Sequence, residues 1–372
     1  MTGIRRPLSG VSDGLRGSVG GAAGNGQRPT VSVVVPCFRY GQYLPQCVGS
    51  ILQQQGVDAR VLIIDDASPD DSFAVAQRLA ATDPRVEVRR HGINRGHIAT
   101  YNEGLLEWAD GEYSVLISAD DVLVSGALAR ATAVMEQYSN VGLVYGHALN
   151  WIDDRPLPTA RRAIKAVRIW SGHDWVRTVC GLGHNVITSP EVVVRTAVQH
   201  EVGGYRPALS HSGDLEMWLR FGARSDIAFI EGVDQAYYRI HASNMTIARS
   251  PIVDLQQRAA AFGSFFAEYR LLFPDAEALL RSARRQVAKE ALWRACRAYE
   301  RRRLADTPIA ELKQFAYDTY PASQRLPEYW GLRWRERVGP RIAPYLQFLM
   351  LSAIHRRLRK ALWWRRWRRR GY

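Results

Sequence analysis

Three short runs constrain the fold of this chain more than anything else in it: VSVVVP at 31–36, RVLIIDD at 60–66 and EYSVLIS at 112–118. Each is apolar along its length instead of alternating, the pattern of strands buried on both faces. The segments between them have helical periodicity. Residues 43–55 place Leu44, Val48, Ile51 and Leu52 on one face. ASPDDS supplies turn and capping residues before a helix at 73–82, and 97–109 reads as another. A short strand at 86–90, a helix at 125–138 and a strand at 141–146 complete the unit, with Pro36 ending the first strand. Strand and helix alternate over about 115 residues. This predicts an α/β domain, a Rossmann-like, mostly parallel sheet with flanking helices.

Such sheets bind ligands beyond the carboxyl ends of their strands. Two acidic pairs stand there, Asp65-Asp66 and Asp120-Asp121. A carboxylate at the first can accept hydrogen bonds from a base or a ribose. Ser68 and Asp70, just after it, serve equally well as helix caps. The second pair offers two adjacent hard oxygen ligands, suited to Mg²⁺ or Mn²⁺ beside a diphosphate.

Five segments in order carry a resemblance: VSVVVPCFRYGQYLPQCVGSIL, VLIIDDASPDDS, HGINRGHIATYNEGLLEWADGEYSVLISADD, GHNVITSPEVVVRTAVQHEVGGYRPALSHSGDLEMWLRFG and YYRIHASNMT. Over roughly residues 31–247 the chain resembles the inverting family 2 glycosyltransferases with the GT-A fold. The resemblance implies transfer of a sugar from a nucleoside diphosphate donor to an acceptor hydroxyl, with a UDP-sugar favoured. It implies nucleotide-sugar contacts from Pro36, Phe38, Asp65, Asp66, Arg95, Ser118, Asp120 and Asp121, with Asp66 on the base edge. Asn94 and Gly96 would shape the loop around Arg95. Asp120, Asp121 and His241 would hold the divalent metal. Asp214 would be the general base, with Glu216 as fallback; a helix N-cap is the alternative use of Asp214. Ser118 stands where the family commonly has an acid two residues before the metal ligand, and Gly213 stands where an acid usually precedes the base. Arg239 could neutralise phosphate, although a surface ion pair explains it nearly as well. Gly203-Gly204 would give backbone freedom near the acceptor. Trp218 could stack on a sugar, although core packing explains it as well.

The net charge of +14 is not spread over the chain. Residues 331–372 hold thirteen Arg/Lys and one acid, Glu336, so the rest carries only about +2. In this tail, IAPYLQFLMLSAI (342–354) is too short to span a bilayer, and arginines alternate with Trp363, Trp364 and Trp367. Tryptophan favours the headgroup zone and arginine attracts anionic lipid. The tail is therefore expected to attach to a membrane surface. Docking on the catalytic domain, pairing with a second copy in a homo-oligomer, and nucleic-acid binding compete; no nucleic-acid motif in the body supports the last.

The expected organisation is a Gly/Ser-rich leader at 1–29, a nucleotide-sugar half at 30–146, an acceptor half at 147–250, a helical region at 251–325 and the basic tail at 326–372. With no secretion signal, no run of 18 apolar residues and four scattered cysteines read as reduced thiols, a cytoplasmic protein at the inner face of the membrane is expected. The setting would be bacterial surface glycan or glycolipid assembly, with a glycan or lipid-linked acceptor. A sugar-nucleotide nucleotidyltransferase would need a Gly-rich phosphate loop after the first strand, where CFRYGQYLP stands. A phosphoacceptor receiver would need its acid pair after the first strand. A non-catalytic adaptor would have no use for Asp120, Asp214 and His241 together.

Overall fold

The computed structural model describes residues 27–153, 155–242, 244, 250–346, 367–369 and 371–372. Most of the expected leader, and the tail at 347–366 with Trp363 and Trp364, lie outside the described residues.

Four parallel strands form the first half of the sheet: β1 (Thr30–Cys37), β2 (Asp58–Asp65), β3 (Val86–Arg90) and β4 (Tyr113–Leu116). They lie in the order β3-β2-β1-β4. Helices α1 (Leu44–Leu52) and α2 (Ser72–Thr82) pack against them. Helix α3 (His97–Asn102) runs on into a wider π turn, Glu103–Trp108. There Gly104 passes so close to β1 that a Cβ would lie 2.2 Å from Val34 Cγ1. Pro36 is tolerated inside a central strand for a local reason. β4 pairs with β1 only as far as Val34↔Leu116, so the missing N–H of Pro36 breaks no ladder on that side.

The second half of the sheet departs from simple alternation. β5 (Val122–Leu123) and α4 (Ala127–Gln137) lead into β6 (Val141–Ile152), twice the length the sequence suggests, which crosses the 146/147 boundary expected between halves. β6 does not lie beside β4. β8 (Val192–Arg195) inserts between them, antiparallel to both. β9 (Asp226–Ile240) pairs with β6 in parallel and with β5 and β7 (Ala166–Trp170) in antiparallel fashion. Helices α5 (Gly172–Leu182), α6 (Thr196–Val202) and α7 (Gly213–Arg224) cover this half.

The C-terminal helices share the core of the sheet. α8 (Pro251–Tyr269), α9 (Ala276–Glu300), α10 (Ile309–Thr319) and α11 (Pro327–Val338) contribute Phe262, Phe265, Val287, Leu312 and Leu332 to one cluster with Val34, Leu62 and Phe221. Even Arg335 is 1% exposed; its guanidinium donates to Glu300 Oε1 at 2.6 Å and to the Gly331 carbonyl at 2.8 Å. A short helix, α12 (Ala343–Leu346), ends the described run. No helix among the described residues is long and apolar enough to cross a membrane.

The last residues return to the body. Trp367 donates its indole N–H to the Val186 carbonyl (3.1 Å), and its ring lies 4.3 Å from that of His147. Tyr145 donates to the Gly371 carbonyl and Arg168 Nε to the Arg369 carbonyl, at 3.0 and 2.6 Å. Tyr372 is buried with its ring edge-on to Trp170. Trp367, expected at a lipid interface, is thus seated on the protein, because a carbonyl acceptor and an aromatic partner are available there.

Glu191 is 1% exposed, just before β8. One oxygen accepts from Thr188 N at 3.0 Å, and the other has no hydrogen-bond partner among the described residues. Burial pushes its carboxyl up to about 8. The folded state then keeps a proton that the unfolded chain loses above its ordinary value of 4.5, so this stability is present at acid pH and lost as pH rises toward 8. The denaturation midpoint should therefore fall between pH 5 and 8, and Glu191→Gln should flatten that fall. An unchanged slope in the variant would show that Glu191 is ionised in the folded protein.

Candidate active site

The ends of β1 and β2 form one wall. Arg39 and Ala67, both non-glycine, have φ of 62° and 58°. Such left-handed backbone costs about 1 kcal/mol or more and gathers at functional sites. Crossed bonds hold the two bends: Arg39 N donates to Ser68 Oγ (3.0 Å), Gly41 N to Ser72 Oγ (2.9 Å) and Asp66 N to the Cys37 carbonyl (2.9 Å). Phe38 is left 42% exposed at the strand end.

Asp65 and Asp66 have different surroundings. Asp65 is fully buried, with one oxygen accepting from Ser68 N at 3.2 Å and 3.4 Å from Arg90 Nε. Its other oxygen has no partner among the described residues. Asp66 organises the loop after β3. Its Oδ1 lies 2.6 Å from His91 Nδ1 and accepts from Arg95 N at 2.7 Å, and its Oδ2 accepts from Gly96 N at 2.8 Å. Asn94 donates to the Asp66 carbonyl (3.1 Å), and Gly96 holds φ +82°, which a side chain would resist. The Arg95 guanidinium bonds Glu103, whose Oε2 also lies 2.9 Å from His91 Nε2. Three bonds already converge on Asp66, so a base contact there has one remaining lone-pair direction. Arg95 is a partner of Glu103, not a free cation.

The second acidic pair divides its duties. Asp120 Oδ2 lies 2.9 Å from His241 Nε2 and 3.4 Å from Asn244 Nδ2. Asp121 Oδ1 accepts from the backbone N–H of Arg239 at 3.0 Å. Burial raises both carboxyls above the usual range; the charge of Asp120 adds to the rise at Asp121, and His241 opposes it at Asp120. Among the described residues no three His, Cys, Asp or Glu side chains converge as a metal cluster. Of the trio expected from the sequence, Asp120 and His241 meet in the structure, while one oxygen of Asp121 is engaged by the Arg239 backbone N–H. That pair still fits a divalent ion: a carboxylate oxygen and an imidazole nitrogen on one point, with substrate oxygens free to complete the shell.

Arg239 does not serve as a free phosphate ligand. It is 3% exposed and lies between the rings of Tyr43 and Trp151, at 4.4 and 3.9 Å. Its Nε donates to the Asp120 carbonyl (2.7 Å), and its two terminal nitrogens to Asp153 and Gln46 (2.6 Å each). His241 packs against Tyr40 and Tyr43, and Asn244 Oδ1 accepts from its backbone N–H at 2.6 Å.

A cavity of about 320 Å³ lies over this pair. Its lining includes Ser118, Asp120, Asp121, Ser189, His211 and Asp214. Asp214 is the second residue of α7, where the helix field favours a negative charge. Ser189 donates to its Oδ2 at 2.7 Å, and the Tyr205 hydroxyl bonds it too. Ser212 is the N-cap residue, so Asp214 does not cap the helix. Glu216 is removed as an alternative base. It is fully buried and held by Arg206 at 2.7 Å and Arg220 at 3.0 Å. Trp218 is buried in the core cluster. Ser189, His91, Glu103 and Asn244 do not stand out in the sequence as site residues, although all four fall inside the matching segments; what marks them is a partner distant in sequence.

Residues 32–176 match the sequence model of Glycosyl transferase family 2. That segment is similar to the family, and the fold of the chain is GT-A. It is similar to the uncharacterized protein MT1568 of Mycobacterium tuberculosis, 28% identical over 221 residues, 55% of this chain and 66% of that one. It is also similar to the GalNAc(5)-diNAcBac-PP-undecaprenol beta-1,3-glucosyltransferase of Campylobacter jejuni, 32% identical over 122 residues, 32% of this chain and 38% of that one. Both matches span less than two thirds of the relative's length. Among solved structures, S. aureus TarS 1-349 in complex with UDP-GlcNAc superposes with a TM-score of 0.52 at 14% identity, covering 80% of this chain and 90% of that one.

Replacing the Arg239 fork by an ammonium would leave the stacked, three-way arrangement unfilled. Arg239→Lys should lower the unfolding free energy by about 2 kcal/mol, measured by urea titration. A loss below about 0.5 kcal/mol, the range of neutral surface changes, would mean that the guanidinium does not organise the site.

Proposed function

We propose that the chain is an inverting glycosyltransferase that moves a sugar from a nucleoside diphosphate donor to an acceptor hydroxyl. The observation that carries this reading is that one cavity is lined by Ser118 and Asp120 and also by Asp214, which Ser189 and Tyr205 hold. Pro36, Phe38, Asp65, Asp66 and Arg95 would surround the nucleotide at the ends of β1 to β3. Asp120 and His241 would hold Mg²⁺ or Mn²⁺, with Asp121 adding charge behind them. Bound there, the metal supplies positive charge to the departing diphosphate.

Asp214 takes the proton of the acceptor hydroxyl as its oxygen attacks the anomeric carbon, and the bond to the diphosphate breaks on the opposite face. One carboxylate suffices for this, because no covalent sugar–enzyme intermediate forms. The name of the Campylobacter relative supports a polyprenyl-diphosphate-linked acceptor, and with it surface glycan assembly. A UDP-sugar is the favoured donor. The basic, aromatic tail would bring the enzyme to the inner face of the membrane that carries such an acceptor. A nucleotidyltransferase is disfavoured because the β1–α1 connection gives Tyr40 and Tyr43 to pack His241, not a Gly-rich phosphate cradle.

Purified protein incubated with a panel of nucleotide sugars and Mn²⁺ or Mg²⁺ should release nucleoside diphosphate from one donor and stop on chelation. Asp120→Ala should lower the rate at least about a hundredfold. No release from any donor, with membranes present as acceptor source, would overturn the reading. Asp214→Asn should lose transfer by about a hundredfold or more while donor binding, followed by calorimetry, is unchanged. Near-normal transfer by that variant would exclude Asp214 as the base.

A further inference from the structure

A second groove, of about 540 Å³, lies where the turn after α9 meets the junction of α11 and α12. It is lined by Arg302, Leu304, Ala305, Pro340, Arg341 and Tyr345. Arg302 has a left-handed backbone, φ 55°. Its Nη2 donates to the Tyr345 hydroxyl at 2.8 Å, and its guanidinium lies 5.4 Å from that ring. Arg301 and Arg303 flank it, and Arg337 closes α11 nearby in sequence. All of them, with Arg341, are exposed, and none has a carboxylate partner among the described residues. Asp306 is the one acid in this turn. Beside these charges Tyr345 is 69% and Ile342 52% exposed.

Guanidiniums without a carboxylate partner around a concave space suit a phosphate, which accepts two parallel N–H bonds from a fork. An exposed tyrosine and isoleucine at the rim suit a surface that is charged outside and apolar within. Chain continuity points the same way. α12 ends at this groove, and Trp367 and Gly371 contact the body. The sequence between them, 347–366, is rich in Arg and Trp. No described helix can cross a membrane, so contact would be at the surface.

We propose that the groove formed by Arg302, Arg341 and Tyr345 binds the phosphate of an anionic lipid headgroup, setting this face of the protein against the membrane. The proposal rests on the reading of the tail as membrane-associated and adds a defined headgroup site in the folded body. The groove is separate from the lining of the Asp120–Asp214 cavity.

The full chain is mixed with sedimentable vesicles of phosphatidylcholine, alone or with phosphatidylglycerol, at physiological salt. Wild type should sediment with the anionic vesicles. Arg302→Gln/Arg341→Gln should partition about thirtyfold less, the effect of removing two basic side chains from an anionic surface, with unchanged thermal melting and unchanged nucleoside diphosphate release in solution. The single variant Arg341→Gln, at an exposed side chain, should bind about fivefold less and covers the case in which the double variant fails to fold. Wild-type partitioning of both, with binding abolished in Arg356→Gln/Arg357→Gln, would overturn the groove and leave the tail reading standing. No preference of wild type for anionic vesicles would overturn both. If the groove instead takes inorganic phosphate in a calorimeter, and the double variant abolishes that uptake while vesicle binding is unchanged, it belongs to a soluble phosphate and the proposal is wrong.

Discussion

Arg239 brings a full positive charge into a space that is 3% exposed, and three separate parts of the chain answer it. The β4–β5 loop supplies the Asp120 carbonyl, α1 supplies Gln46, and the end of β6 leads to Asp153. Tyr43 and Trp151 close over the two faces of the guanidinium. Charge-assisted bonds in such a low-dielectric place are strong, and an unpaired member would be costly. The arrangement is therefore cooperative. It also orders the acidic pair, because the backbone N–H of the same residue donates to Asp121 Oδ1 and its Nε to the Asp120 carbonyl, beside the contact of Asp120 with His241. A residue that sequence logic could assign to phosphate thus acts one step back, by positioning.

Much of the first half of the fold is legible in the sequence for a physical reason. β1, β2 and β4 are buried on both faces, so they are apolar throughout, and their helices carry regular faces. The acidic pairs mark the strand ends, where the backbone must bend. The second half is hidden because its strands are defined by partners far away. β8 is only four residues long and becomes a central strand by inserting between β4 and β6. β9 runs for fifteen residues with buried polar groups, Asp234 and Gln235, in the middle. Asp234 is matched by Arg161, whose backbone and guanidinium both donate to it. No local pattern announces a strand with a buried acid. The same holds for Ser189, an ordinary serine until α7 brings Asp214 to it.

The tail shows how a reading from composition can be incomplete. Its charge and tryptophans suggest a surface anchor, and that description treats it as an appendage. In the structure its first part, α11, is core: Leu332 is fully buried and Arg335 is paired inside. Among its last described residues Tyr372 is buried against Trp170, Gly371 accepts from Tyr145, and the half-buried Trp367 packs on His147. Burial pushes the His147 imidazole down to about 4, so the ring under Trp367 is neutral and the contact is apolar. Docking on the body, one of the rivals by composition alone, holds for the described end of the segment. Trp367 hydrogen-bonds Val186, the neighbour of Asn185 and Ile187 in the wall of the catalytic cavity. The end of the tail therefore supports that wall directly.

Ser118 shows what the site requires in place of a third acid. Its carbonyl accepts from Asp121 N at 3.0 Å and from the Cys47 thiol at 3.7 Å, so its backbone closes the turn that presents Asp120. Its side chain faces the cavity among oxygen-rich neighbours but brings no charge. In the proposed metal site the ligands are then Asp120 and His241, 121 positions later and 2.9 Å away. His241 is fixed by Asn244 through its backbone and by Tyr40 and Tyr43 around its ring. A pair assembled from two such distant segments is only as precise as the sheet that joins them. That joint is the β5–β9 ladder, Val122↔Tyr237 and Leu123↔Ala236, followed at once by Arg239. The short strand β5, two residues long, thus has a purpose its length conceals: it registers the acid-bearing loop against the histidine-bearing strand, and Arg239 locks the register.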